Sequence, residues 1–260
     1  MMMAMHVRTT GSGLKLARLV LATSLATVRG YTARSFLFSP KIDTKPQLIL
    51  ISGCTGTGKS TFGMSVALGQ GILKCISTDT VREVMRSFVS KDTNLALHRS
   101  SYAGSGDPVS EWRECCSVLD GSVDALVADA IKRGVSLVVE GVHIVPSNDL
   151  IARWKDSGGV ALGCLLTIRD AEAHRSLILR RGEITKRGEE HQIKAFDRIR
   201  AIQEEMLLLA EDSNWLLIEQ TLEPGPLEIV TSMLKKQGVR GETRTDRIRA
   251  FDLDSRDLHS

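Results

Sequence analysis

The sequence predicts an α/β fold, a parallel sheet with helices on both faces, and three observations predict it. Short, mostly apolar runs at Gln47–Ile51, Val135–Val139 and Val160–Ile168 alternate with longer amphipathic segments. That is the pattern of strands buried on both faces and joined by helical crossovers. The first run leads directly into a glycine-rich turn and then into a helix opening on Lys59-Ser60-Thr61. Carboxylates close two such segments, Asp79 just after the shorter run Ile72–Ser77 and Glu140 after Val135–Val139. They fall at the C-terminal edge of such a sheet, where ligands bind.

Taken in order, residues 1–42 contain Arg8, Lys15, Arg18, Arg29, Arg34 and Lys41 and no acidic residue. Rich also in Ser, Thr, Ala and Leu, they read as an organellar transit peptide, with a mitochondrial address. A short secretory h-region at Leu19–Val28 and an unstructured, disordered leader of a cytoplasmic protein are the other readings. Lys45-Pro46 closes the leader, and a domain is expected over 45–237. Gln47–Ile51 is the first strand and Thr61–Leu68 the body of the first helix. Ile72–Ser77 is the second strand. A helix over Val81–Val89 follows, entered through Asp79 or Thr80 as cap. Residues 90–110 are polar and punctuated by glycine and proline, a loop lying over the site. A long helical pattern runs from Val109 to Arg133, with Gly121 a candidate break. The third strand, Val135–Val139, ends in Glu140-Gly141. Helix Asn148–Lys155 and the fourth strand Val160–Ile168 come next. Residues 170–194 are densely charged, Ala195–Glu211 is a strongly amphipathic helix, Trp215–Ile218 is the fifth strand and Pro226–Lys236 the last helix. Residues 238–260, with five arginines against five acidic residues, read as a solvated, disordered tail.

The length of 260 residues suits one sizeable α/β domain with tails. The formal net charge of +3 is the sum of +6 in residues 1–42 and −3 in the rest. The basic balance therefore belongs to the N-terminus, and neither a nucleic-acid-binding body nor a membrane span is expected. Five cysteines, 54, 75, 115, 116 and 164, form an odd set without a CxxC spacing. That is the usage of a reducing compartment, and neither a disulfide scaffold nor a zinc site is expected. Trp112 and Trp154 read as core packing.

The turn Gly53-Cys54-Thr55-Gly56-Thr57-Gly58-Lys59-Ser60 has Walker A spacing. Its glycines let successive N–H groups face one centre, and the following helix aims its positive end at the same point. Gly53, Cys54, Thr55, Gly56, Thr57, Gly58, Lys59, Ser60 and Thr61 are the candidate ATP-binding residues. Lys59 would reach the β/γ-phosphates, and the Ser60 hydroxyl would bind Mg²⁺. Glu140 ends an apolar strand where burial without a partner is costly, so it is assigned to the same Mg²⁺ shell. Asp79 is assigned as general base or acceptor-orienting group, alongside its reading as a helix cap.

Arg82 and Arg86 share a helix face, Arg99 lies in the polar loop, and Arg175, Arg180, Arg181 and Arg187 crowd the segment after the fourth strand. For any one of them a solvated helix face is the simpler reading. As a group around one phosphate site they suggest that the acceptor is itself an anion. Arg175 and Arg180 are assigned to the transferred phosphoryl group. His98, Ser101, Tyr102 and His143, with Arg82, Arg86 and Arg99, are the candidate acceptor-site residues.

Three stretches then resemble the archaeal-type 2-phosphoglycerate kinases: Ile76-Ser77-Thr78-Asp79-Thr80-Val81-Arg82-Glu83-Val84-Met85-Arg86, Leu97-His98-Arg99-Ser100-Ser101-Tyr102, and Val139-Glu140-Gly141-Val142-His143-Ile144-Val145-Pro146. Phe196-Asp197-Arg198-Ile199-Arg200-Ala201-Ile202-Gln203-Glu204 is similar to that family's last long helix. The resemblance implies a P-loop kinase three-layer sandwich with a five-stranded parallel sheet and a helical lid. It also implies ATP-dependent phosphorylation of the 3-hydroxyl of 2-phosphoglycerate, a small anionic phosphorylated metabolite. Other readings are a kinase of a nucleotide sugar or polynucleotide end, of the toxin or end-healing type, and a nucleotide-binding regulator without transfer activity. No Asn-Lys-x-Asp base-reading motif of a GTPase switch is present.

Overall fold

The computed structural model describes residues 45–102, 104–185, 193–219 and 228–237. The leader over 1–42, the tail over 238–260 and Arg187 lie outside the described residues. Five strands form one sheet, β1 (Gln47–Ser52), β2 (Cys75–Ser77), β3 (Leu137–Glu140), β4 (Val160–Thr167) and β5 (Leu216–Glu219). Every pairing is parallel, in the order β2-β3-β1-β4-β5.

The apolar strands are apolar throughout because both faces of the sheet are covered. Leu48 and Leu50 of β1 fall with Leu137, Val139 and Leu165 into one core. That core is closed by α4 (Pro108–Arg133), α5 (Asp149–Asp156) and α7 (Phe196–Asp212) through Trp112, Trp154, Ile199 and Met206. Ile49 and Ile51 point the other way, with Val138, Leu162 and Cys164, onto α1 (Lys59–Gly69) and the helix over 228–237, called α8. The result is the expected three-layer sandwich. Both tryptophans assigned to packing are fully buried.

Several boundaries differ from the sequence reading for local reasons. β2 begins only at Cys75, because the Ile72 N–H bonds back to the Ala67 carbonyl at 2.7 Å and closes α1. α2 (Thr78–Phe88) starts earlier than expected. Ser77, not Asp79 or Thr80, is its cap, accepting a hydrogen bond from the Asp79 N–H at 3.3 Å. Asp79 therefore sits in the first turn, where the helix dipole favours a carboxylate. The loop over 90–110 contains a one-turn helix, α3 (Leu95–His98).

Gly121 does not break α4, which runs unbroken for 26 residues from its Asp107 cap to Gly134. A glycine in a helix costs about 1 kcal/mol relative to alanine. Here the buried row Cys116, Leu119, Val123, Val127 and Ala130 outweighs that cost.

In the middle of β4, Gly163 leaves room for the Trp215 ring, which would lie 2.3 Å from an added Cβ. Trp215 is held there by its indole N–H, which donates to the Ser147 carbonyl at 3.0 Å. Gly163→Ala is expected to destabilise the fold by about 1–3 kcal/mol, the usual cost of overpacking a core. Urea unfolding would read this as a lower midpoint with an unchanged slope.

Candidate functional site

The sheet order brings three strand ends together. β3 lies between β1 and β2, and the register pairs Glu140 with Ile51 on one side and Ser77 on the other. The phosphate loop, Glu140 and the Asp79-bearing start of α2 thus leave the sheet at one level.

The loop itself turns on three glycines at positive φ, Gly53 at 146°, Gly56 at 83° and Gly58 at 79°. Gly58 caps α1 with no side-chain hydrogen bond, and the first turn of α1 holds no acidic residue. Such a helix N-terminus suits an anion. Lys59 is buried and donates to the Cys54 carbonyl at 2.7 Å, and the Thr57 hydroxyl donates to the same carbonyl at 2.9 Å. Thr61 is exposed one residue beyond Ser60. Cys54 turns its side chain into the core beneath the loop, toward the Ile199 carbonyl and Met206, and burial pushes its thiol up to about 12.

The Ser60 hydroxyl donates to Glu140 at 3.2 Å, and Glu140 is only 4% exposed. A hydroxyl and a carboxylate side by side at the mouth of a phosphate loop are hard oxygen donors. Mg²⁺ prefers such donors, and it is commonly held by one or two of them together with water and phosphate. The residues present therefore fit the ion.

Asp79 stands opposite, with its side chain 70% exposed, 3.6 Å from Nδ1 of the buried His143. Arg82 Nη1 approaches His143 Nε2 at 3.1 Å and can only donate, so Nε2 is the acceptor and Nδ1 carries the proton. Nδ1–H faces the Thr78 hydroxyl at 3.1 Å and the Asp79 carboxylate. Ser101 completes the chain, accepting from Arg82 at 3.0 Å and lying 2.8 Å from His143 Nε2. Burial, helped by the nearby cations Arg82, Lys59 and Arg86 and opposed by Asp79, lowers the His143 pKa to about 4. The loop carrying His143 is fixed by Trp112, which donates to the Val142 carbonyl at 2.8 Å, and by Ser52, which donates to the Ile144 carbonyl at 2.6 Å.

The structure places most of the arginines expected to meet an acceptor in internal bonds. Arg82 also donates to the Leu97 carbonyl, and Arg86 to the Leu97 and His98 carbonyls and to Glu83. Arg99 donates to the Glu111 carbonyl and to Glu114. His98 holds the Val89 carbonyl at 2.7 Å. These groups lock α2, α3 and α4 to one another. Tyr102 faces the phosphate loop instead of an acceptor space, its hydroxyl accepting the Thr55 N–H at 2.8 Å. On α6 (Ala171–Thr185), Arg175 stacks over the Phe196 ring at 4.4 Å, and Arg180 is exposed.

His174, Arg200 and Gln203 were not singled out from the sequence. His174 is fully buried and donates from Nε2 to the Thr55 carbonyl at 2.8 Å, and burial lowers its pKa. Gln203 and Arg200 both donate to the Ile168 carbonyl, at 3.0 and 2.7 Å, and set the turn from β4 into α6. The one available signal was their i, i+3 spacing on the inner face of an amphipathic helix.

The strand order and the phosphate loop define a P-loop kinase fold. No family model matches the chain. Curated relatives do. The 2-phosphoglycerate kinase of Pyrococcus furiosus is 28% identical over 218 residues, covering 75% of this chain and 68% of the relative. That of Methanocaldococcus jannaschii is 31% identical over 205 residues, 74% of this chain and 65% of the relative. The chain is a relative of the archaeal-type 2-phosphoglycerate kinases, and it spans about two thirds of the length of the curated proteins it matches. Among solved structures, the shikimate kinase of Acinetobacter baumannii overlays with a TM-score of 0.42 at 15% identity, covering 74% of this chain and 92% of that one. An overlay this loose adds nothing to the assignment.

One expectation is overturned. The relatives come from archaea, organisms without mitochondria, so the transit-peptide reading and the mitochondrial address do not stand.

His143 also makes stability depend on pH. Its folded pKa lies below its unfolded value near 6.5, so the unfolded chain binds more protons between those values. Stability is full above pH 6.5 and is lost as pH falls toward 4. Between pH 7 and pH 5 the loss is expected to be about 2 kcal/mol, and His143→Asn should flatten it. Urea titrations at the two pH values check both.

Proposed function

We propose that the protein is an ATP-dependent phosphotransferase that moves the γ-phosphoryl group to the 3-hydroxyl of 2-phosphoglycerate, giving 2,3-bisphosphoglycerate. The observation that carries this reading is the meeting of Ser60 and Glu140 at the phosphate loop, with Asp79 in the first turn of the helix that leaves the adjoining strand. The acceptor is taken from the name of the curated relatives.

In this reading the N-terminus of α1 and the loop glycines cradle the polyphosphate. Lys59 leaves the Cys54 carbonyl for the β/γ-phosphates, and Thr55, Thr57 and Thr61 line the cradle. Ser60 and Glu140 are the residues that would hold Mg²⁺, which when bound would neutralise charge on the phosphate oxygens. Asp79 orients the acceptor hydroxyl and takes its proton as the new P–O bond forms and the bond from the γ-phosphorus to the bridging oxygen breaks. His143, held in one tautomer by Arg82, steadies Asp79 from behind. Arg175 and Arg180, on the helix that follows β4, supply cations near the transferred group. Arg82, Arg86, Arg99, His98 and Ser101 shape the acceptor wall by holding α2, α3 and α4 in place.

The test follows ADP release from Mg-ATP with candidate acceptors and identifies the product by phosphorus NMR. Stimulation by 2-phosphoglycerate, with 2,3-bisphosphoglycerate formed, is the expected result. Stimulation only by a nucleotide sugar or a polynucleotide end would move the reading to those acceptors. Mg-ATP binding without transfer to any acceptor would move it to a regulator. Asp79→Asn is expected to lower kcat by about 10²–10⁴-fold with little change in the KM for ATP, the usual range for a lost general base.

A further inference from the structure

We infer that Tyr102 and His174 are positioning residues that grip a single residue, Thr55, from opposite sides and so hold the phosphate loop in its anion-binding shape. The inference rests on the reading that this loop binds the phosphates of ATP.

The loop needs outside anchors. Its three positive-φ glycines give the backbone wide freedom, and Thr55 lies between the first two of them. Thr55 is 6% exposed, so water competes little for its backbone groups. Its N–H is taken by the Tyr102 hydroxyl, 47 residues away, and its carbonyl by His174, 119 residues away. The two anchors come from different parts of the fold. Tyr102 follows α3, and Ser101 beside it belongs to the His143 network. His174 lies in the first turn of α6, delivered there by the bonds from Arg200 and Gln203 to Ile168.

Each bond fixes a peptide plane, and in a trans peptide the N–H and C=O point in opposite directions. Where the Thr55 N–H is turned outward to Tyr102, the Cys54 carbonyl of the same plane is turned inward. It is the atom that receives Lys59 and Thr57. Where the Thr55 carbonyl is turned outward to His174, the Gly56 N–H of that plane faces the cradle. α6 also packs closely at this point. An added Cβ on Gly56 would lie 2.8 Å from Ile178 and 3.3 Å from the His174 ring, so the glycine admits the helix that supplies the anchor.

The carbonyl can only accept, so His174 donates from Nε2, and burial favours the neutral ring. His174 Nδ1 has no hydrogen-bond partner among the described residues. The role therefore belongs to a single N–H, which another side chain could supply.

The experiment measures the affinity of the full chain for Mg²⁺ with a non-hydrolysable ATP analogue, with the melting temperature of the nucleotide-free protein as the control for folding. Tyr102→Phe removes one hydroxyl, and His174→Phe keeps an aromatic ring against Phe196 while removing the donor. Each is expected to weaken binding about 5- to 10-fold, the range for one buried hydrogen bond. His174→Gln, which can place an N–H near Nε2, should stay within about 2-fold of the original. Because both anchors act through one residue, the double variant should lose less than the product of the single losses. Unchanged affinity in both single variants, no recovery in His174→Gln, or a fully multiplicative double variant would overturn the inference. If the unaltered chain binds no Mg-nucleotide, the nucleotide reading fails, and the inference fails with it.

Discussion

The insertion of β3 between β1 and β2 is the constraint on which the site depends. Had β2 lain between β1 and β3, it would separate Glu140 from the phosphate loop and put the carboxylate out of reach of Ser60. In the observed order, Ile51, Glu140 and Ser77 lie side by side across three strands. A hydroxyl, a buried carboxylate and an exposed carboxylate then meet at one edge without any long side chain having to reach. Parallel pairing fixes this level, because a one-residue slip would turn Leu48 and Leu50 to the opposite face and exchange the two cores.

Behind that edge lies a second layer of polar groups that hold the site and do not face it. Arg82, Ser101, His143 and Thr78 form one continuous chain, and each link in it is 3.1 Å or shorter. Burying such groups is costly unless they are all satisfied, and a satisfied network specifies one arrangement. Arg86 and Arg99 work in the same way on the outer side, tying the short α3 to α2 and α4. A run of arginines near a phosphate site therefore has two explanations, and here the internal one accounts for Arg82, Arg86 and Arg99.

The start of α6 is a further case. A charged helix after β4 reads as a lid, yet its first turns are packed onto the phosphate loop through His174 and Ile178. Burial and the bonds from α7 make this end part of the scaffold.

The sequence by itself determined the sheet class, the phosphate loop, the two strand-end carboxylates and the apolar faces of the long helices. Each of these is written in local pattern: periodicity, glycine spacing, or a charge closing an apolar run. Helix and strand ends were less legible, because a cap such as Ser77 competes with neighbours of similar chemistry and only backbone geometry selects among them. Tertiary structure alone decided which polar side chains face a ligand and which face the protein. Tyr102, His174, Arg82 and Gln203 take their roles from partners between 15 and 119 residues away. A residue's type states what it can donate or accept, and only the fold states to whom.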